Sequence, residues 1–165
     1  MDTAELIEAI RQEMEQYFGQ DIRRINHALN VLRYARAINA ELSADPLTVE
    51  IAAILHDIGI HEAERKYHSA AGNYQEMEGP PIARVILAGY SIPAATVDHI
   101  CRIIANHHCA REIDTPEFRV VWDADWLVNI PDEFDLGDQA KMCSLLNVFK
   151  TAAGRRLAET QFVRS

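Results

Sequence analysis

The chain has 165 residues, 48% apolar and 25% charged, which suits one globular unit with a sizeable core and is short for two. Sixteen Lys and Arg against 25 Asp and Glu give a formal net charge of −9, which argues against a nucleic-acid polymer as partner but leaves room for a small phosphorylated ligand in a locally positive pocket. No apolar run reaches membrane-spanning length, and the three cysteines stand singly without CxxC spacing, so a reduced cytoplasmic protein with no membrane partner and no disulfide framework is expected.

The opening "MDTAELIEAIRQEMEQYFG" alternates charged and apolar residues at helical spacing, with Leu6, Ile10 and Met14 four apart; it reads as a helix, not a signal or transit peptide. A second helix is predicted over 21–42. Asp45 then offers an N-cap with Pro46 at the first helical position, and Gly59 falls just past the last turn. Residues 59–79 are polar and lack a clean period; they predict either a functional loop or a surface loop with a short helix inside it. Helical patterns resume at "GPPIARVILAGY" and "SIPAATVDHICRIIANHH". In "TPEFRVVWDADWLVNIP", Thr115 is the cap, Pro116 the first position and Pro131 the terminator. The last segment, 136–162, reads as one helix or a pair broken near Gly154. The sum is an all-α bundle of about six to nine helices in one domain, 1–165.

Several polar residues sit against this apolar pattern. At roughly 100° per residue, His27 falls on the stripe of Val31, Tyr34 and Ile38, at its border with Arg23 and Asn30. His56 follows Val49 and Ala52 inward. Asp57 meets the negative end of its helix, where burial without a cation would cost several kcal/mol; an arginine or a metal would each answer that need. In "FRVVWDADWLVN", Asp123 lies one turn after Arg119 and is explained as an exposed pair, whereas Asp125 shares the core stripe of Phe118, Val121, Trp122 and Val128. His107 and His108 end another apolar helix, and at least one of them should face inward; His61 and His99 read as solvated. Each residue has an ordinary explanation when taken singly. Their joint arrival from four helices favours a site for a divalent ion such as Zn²⁺, Mn²⁺, Fe²⁺ or Mg²⁺.

The series His27 … His56-Asp57 … Asp125, the last within "DADWL", resembles the H…HD…D signature of the HD-domain superfamily of metal-dependent phosphohydrolases. The doublet followed by Ile-Gly fits it too, over about 21–130, with 136–162 packing on that region. "HDIGIHEAERKYH" and "QEMEGPPIARVIL" are similar to a branch of small bacterial members known only as predicted hydrolases. The resemblance implies His27, His56, Asp57 and Asp125 as metal ligands, one or two ions (Mn, Mg, Co, Zn, Ni or Fe), and a doublet aspartate bridging them where there are two. His68, His107 and His108 are available for a second ion. The glycine-rich motif of the cyclic-dinucleotide phosphodiesterase branch is missing.

The expected activity is hydrolysis of a phosphate ester in a nucleotide or similar small metabolite, with metal-bound water as nucleophile. Asp57, or an acid such as Glu78, is the candidate proton acceptor. Arg23, Arg33, Lys66 and Arg84 are candidates to hold phosphate, although solvated surface charge explains any one of them. The rivals are a di-iron oxygenase of the same superfamily and a non-catalytic metal-binding regulatory module. Nothing in the sequence specifies a homodimer.

Overall fold

The structure, a computed structural model, describes residues 1–165 and contains nine α-helices, one 3₁₀ turn and no strand. The all-α expectation holds. Helix α1 (Thr3–Phe18) begins in a capping box in which Asp2 and Glu5 satisfy each other's backbone N–H, and it stops at Gly19, whose φ of 62° only glycine adopts freely. Helix α2 (Ile22–Leu42) is capped by Asp21, and α3 (Pro46–Leu55) by Asp45 with proline in its first turn.

Helix α3 is the centre of the molecule. Every residue from Ile51 to Ile60 is buried, and α1, α2, α6 (Ala94–Asn106) and α7 (Pro116–Glu133) pack around it. A helix apolar on all sides has no stable place except the interior, and each fully buried Ile or Leu on it is worth about 1.5–3 kcal/mol. One apolar cluster runs from Ile7 to Phe162.

The polar stretch 59–79 is not a loop. It folds as α4 (Ile60–Tyr67) and the first half of α5 (Gly72–Leu87), with only four residues between them. Helix α5 therefore starts well before "GPP", where the sequence predicts its opening, and carries Pro80 and Pro81 inside it. Two glycines make this compact. A Cβ on Gly59 would sit 2.5 Å from the backbone nitrogen of Gly79, and one on Gly79 would sit 2.6 Å from Ile104. Gly59 thus ends no helix by adopting a left-handed turn; it is the point where the start of α4 touches α5. Likewise α7 continues past Pro131 to Glu133.

The C-terminal segment forms α8 (Gln139–Leu145), the 3₁₀ turn Leu146–Val148, and α9 (Ala152–Phe162), so the break lies before Thr151 and not at Gly154. Asp123 does not pair with Arg119, which is bound by Asp114 instead at 2.8 and 2.7 Å. Asp123 is fully buried. It accepts from the backbone N–H groups of Lys150 and Thr151, both at 2.8 Å, and from the Thr151 hydroxyl at 2.6 Å. That hydroxyl accepts in turn from Gly154 N–H at 2.9 Å and caps α9. The face of α7 that the local pattern left in solvent is covered by α9, which sequence periodicity within α7 does not reveal.

Candidate metal centre

Two inward-facing histidines at helix ends are set by the same local device. His56 closes α3 and His107 closes α6. At the end of a helix the last carbonyls lack partners. The Nδ1–H of His56 donates to Ala53 C=O at 2.7 Å, and that of His107 to Ile104 C=O at 2.6 Å. Each bond fixes the ring and turns Nε2 toward the interior, the orientation that metal-binding imidazoles need.

Four side chains from three elements then converge. His27 Nε2, from α2, lies 3.2 Å from His56 Nε2, 3.3 Å from Asp57 Oδ2 and 3.0 Å from Asp125 Oδ1. His56 Nε2 is 3.4 Å from Asp57 Oδ2 and 3.3 Å from Asp125 Oδ1. His56 Nε2 is an acceptor in the neutral ring, because its Nδ1 carries the proton, so this imidazole and the two carboxylates crowd acceptors together, which repel unless a cation or protons lie between them. Bonds of about 2.1 Å to one ion would separate adjacent ligands by about 3.0 Å in octahedral and about 3.4 Å in tetrahedral geometry. The observed spacings fall in that interval, so His27, His56 and Asp57 fit a divalent ion, and Asp125 Oδ1 stands at ligand spacing from both imidazoles.

A second group shares one carboxylate with the first. Asp57 Oδ1 faces His107 Nε2 at 3.2 Å, and Asp57, His107 and His108 bring donor atoms mutually within 4.8 Å, as His27, His56 and Asp57 do. Both histidines of "NHH" therefore reach this group: His107 is buried, while His108 is open to solvent and contacts Gln75 Oε1 through Nε2 at 3.2 Å. The turn carrying them is held by Glu76, whose carboxylate accepts from the N–H groups of His108 and Cys109, each at 3.2 Å. Asp125 is steadied by Asn129, which donates to Oδ1 at 3.1 Å.

Electrostatics express the same crowding. Burial opposes the charge on His56, but Asp57 and Asp125 outweigh it and raise its pKa well above the usual 6.5. Burial likewise opposes ionisation of Asp57 and Asp125. For Asp57, His56 and His107 prevail and hold the carboxyl well below its ordinary range; for Asp125, His56 and His27 do the same. The raised His56 value means that its stabilising contribution is complete below about pH 6.5 and is lost as pH climbs through the folded-state value. The depressed aspartate values give stability present above about pH 3.8 and lost only in stronger acid. Metal-stripped protein should therefore melt at a lower temperature at pH 8.5 than at pH 5.5. With Mn²⁺ present the trend should reverse, because the ion competes with protons for the same atoms; parallel melts with EDTA and with Mn²⁺ check the sign.

The cluster forms the floor of a cavity of about 400 Å³ lined by 14 residues, of which only Ile60 and Val128 are apolar. Arg23, one turn from His27 on α2, lines it, as does Arg24. The other sequence candidates lie elsewhere. Arg33, six residues after His27, is rotated away by roughly 240° and lines a groove against α1 with Arg11 and Arg36. Lys66 bonds both oxygens of Glu78, at 3.2 and 3.1 Å, and the Tyr67 hydroxyl donates to the same carboxylate at 3.0 Å. Once 60–67 and 72–87 are helices, that pair joins α4 to α5, and neither residue lines the cavity. Arg84 pairs with Asp98 at 2.9 Å on the outer edge of α5 and α6. His68 ends α4 in a left-handed conformation, φ 54°, exposed and outside both donor groups. His61 and His99 are not simply solvated: they contact Asp21 and Thr115, each at 2.7 Å. The cavity is also lined by Asn26, Asn129, Asp132 and Glu133, which the sequence pattern does not single out although Asn129 stands one turn from Asp125, and by Asn30 on the polar border of His27.

The HD-domain family model matches residues 24–130, and the chain belongs to that family. Among solved structures it is similar to a predicted HD superfamily hydrolase from an uncultured Thermotogales bacterium, with a TM-score of 0.71 at 24% identity, covering 98% of this chain and 91% of that one. That likeness is one of fold. No curated protein matches the chain significantly. No helix is long and apolar enough to cross a membrane.

Proposed function

We infer that the protein is a metal-dependent phosphohydrolase acting on the phosphate ester of a small metabolite. The observation that carries this reading is the pair of donor groups sharing Asp57 at the floor of a polar cavity with two arginines in its wall. His27, His56, Asp57 and Asp125 would hold one ion, and Asp57 with His107 and His108 a second. Bound divalent metal supplies a Lewis acid for the phosphoryl oxygens and a water of lowered pKa.

The rest is done by side chains of the chain itself. Arg23 makes no ion pair within the protein and is free to bind phosphate; Arg24 is only loosely engaged, by Asp21 at 4.0 Å and Glu64 at 3.6 Å. Asn129 keeps Asp125 oriented. Asp57 has both oxygens committed to imidazoles and a depressed pKa, which suits a ligand better than a proton acceptor. Glu78, bound by Lys66 and Tyr67 away from the cavity, is not a base here.

The reading is tested by loading metal-stripped protein with Mn²⁺, Mg²⁺, Co²⁺ or Fe²⁺ and measuring phosphate release from p-nitrophenyl phosphate and a panel of metabolite esters. Metal-dependent release with no oxygen uptake is expected. Oxygen consumption by the iron-loaded protein without phosphate release would instead establish the oxygenase chemistry. The second ion has its own probe. A Cβ on Gly72 would lie 2.6 Å from Cγ of His108, so Gly72→Ala must displace that ring. Metal content per chain should fall from two ions to one in this variant, as read by elemental analysis.

A further inference from the structure

We propose that the phosphate ester taken by this cavity is that of a polyhydroxylated compound, a sugar or polyol phosphate, and not a nucleotide; the inference rests on the phosphate-binding role assigned to the site above. Two helices supply ten of the 14 lining residues. On α2, Arg23, Asn26 and Asn30 lie within one turn of His27 on either side; on α7, Asn129, Asp132 and Glu133 follow Asp125 at the same helical spacing. These helices pack against each other, and at the mouth of the cavity the two stripes open to solvent: Arg23, Asn26, Asn30, Asp132 and Glu133 are exposed and Asn129 is half-buried. Here they carry carboxamides and carboxylates, with Val128 the one apolar residue on the two stripes.

The hydrogen-bonding capacity of this wall is largely uncommitted. Among these side chains only Asn129 makes a hydrogen bond within the protein; Asn26, Asn30, Asp132, Glu133 and Arg23 make neither a side-chain hydrogen bond nor an ion pair. Carboxylates accept from hydroxyl groups, and carboxamides both donate and accept, so together they match a ligand that offers a hydroxyl on nearly every carbon. A nucleobase finds no such fit. Bases are held by stacking on aromatic or apolar faces. No Phe, Tyr or Trp lines the cavity, the imidazoles there belong to the donor groups, and the apolar lining is confined to Ile60 and Val128. Binding sites for small molecules are usually lined mainly by apolar side chains, and the reverse composition here favours a ligand that replaces the hydrogen bonds of water along its whole length.

The test is calorimetric binding to the Mn²⁺-loaded protein of three probes: the non-hydrolysable phosphonates of glucose 6-phosphate and of AMP, and inorganic phosphate. The glucose phosphonate should bind about 100-fold tighter than the AMP phosphonate, about the worth of two hydrogen bonds that the base does not replace. Asp132→Ala and Asn30→Ala should each cut the ratio of glucose-phosphonate to inorganic-phosphate affinity by about tenfold. Equal or tighter binding of the AMP phosphonate, or variants that leave the ratio unaltered, overturns the proposal. Phosphate release from the two parent esters is measured alongside. Selective sugar binding without any hydrolysis sinks the phosphohydrolase reading and leaves this one standing, whereas hydrolysis that prefers AMP does the opposite.

Discussion

Asp57→Ala should lower metal-dependent phosphate release by about 10³-fold or more, the loss of roughly 4 kcal/mol of transition-state stabilisation. The expectation follows from position. The carboxylate is almost fully buried in the turn after α3, at the negative end of that helix's dipole, and its two oxygens face different imidazole sets. Removing it therefore takes a ligand from both donor groups at once. It should not unfold the protein, because His56 can give up its proton once its acidic neighbour is gone. The variant separates these effects through thermal melts. Saturating metal should stabilise the wild type by about 4 kcal/mol at a thousandfold excess over Kd, or about 10 °C for a chain of this size. That gain should be absent in Asp57→Ala, whose melting temperature without metal should fall by several degrees with the loss of its pairing to His56 and His107 while the transition stays cooperative. A variant with undiminished turnover and metal content would remove Asp57 from the site.

Asp123→Ala should be the most destabilising single carboxylate replacement in the chain, at about 3–5 kcal/mol, and should leave metal affinity intact in whatever fraction remains folded. Burial raises the pKa of this carboxyl despite the donors from Thr151 and Lys150, which reflects how completely α9 covers it. Truncation leaves two backbone N–H groups and the Thr151 hydroxyl without their acceptor in a dry interface, and the N-cap of α9 loses the group that orients it. A drop of about 10 °C in melting temperature is expected. Asp123→Asn, which keeps one acceptor, should fall between the two. Gly154→Ala should mimic the defect, because a Cβ there collides with the Asp123 carboxylate. A shift of under 2 °C for Asp123→Ala, on the scale of a surface substitution, would contradict this account.

The contrast between Asp123 and Asp125 shows what a sequence makes legible. Asp125 breaks an apolar stripe on its own helix, so the anomaly is visible from local periodicity, and the same holds for His27 and Asp57. Asp123 looks like half of an i,i+4 pair because the element that buries it is α9, far along the chain. The arginine candidates divide in the same way. Arg23 stands one helical turn from His27 and reaches the cavity, whereas Lys66 and Arg84 meet Glu78 and Asp98 on neighbouring helices. Residues 59–79 misled for a further reason: the contact of Gly59 with Gly79 that lets α4 and α5 pack tightly appears in the sequence only as two glycines without side-chain pattern. The duplicated use of a helix's last carbonyls to orient His56 and His107 was also hidden, although both follow long apolar runs at helix ends.

An anomalous difference map from crystals grown with Mn²⁺ tests the metal centre most directly. A peak is predicted within about 2.0–2.3 Å of His27 Nε2, His56 Nε2, an Asp57 oxygen and an Asp125 oxygen, with a second between Asp57, His107 and His108. No peak at the first position, with Asp125 turned away to an arginine, would contradict the account.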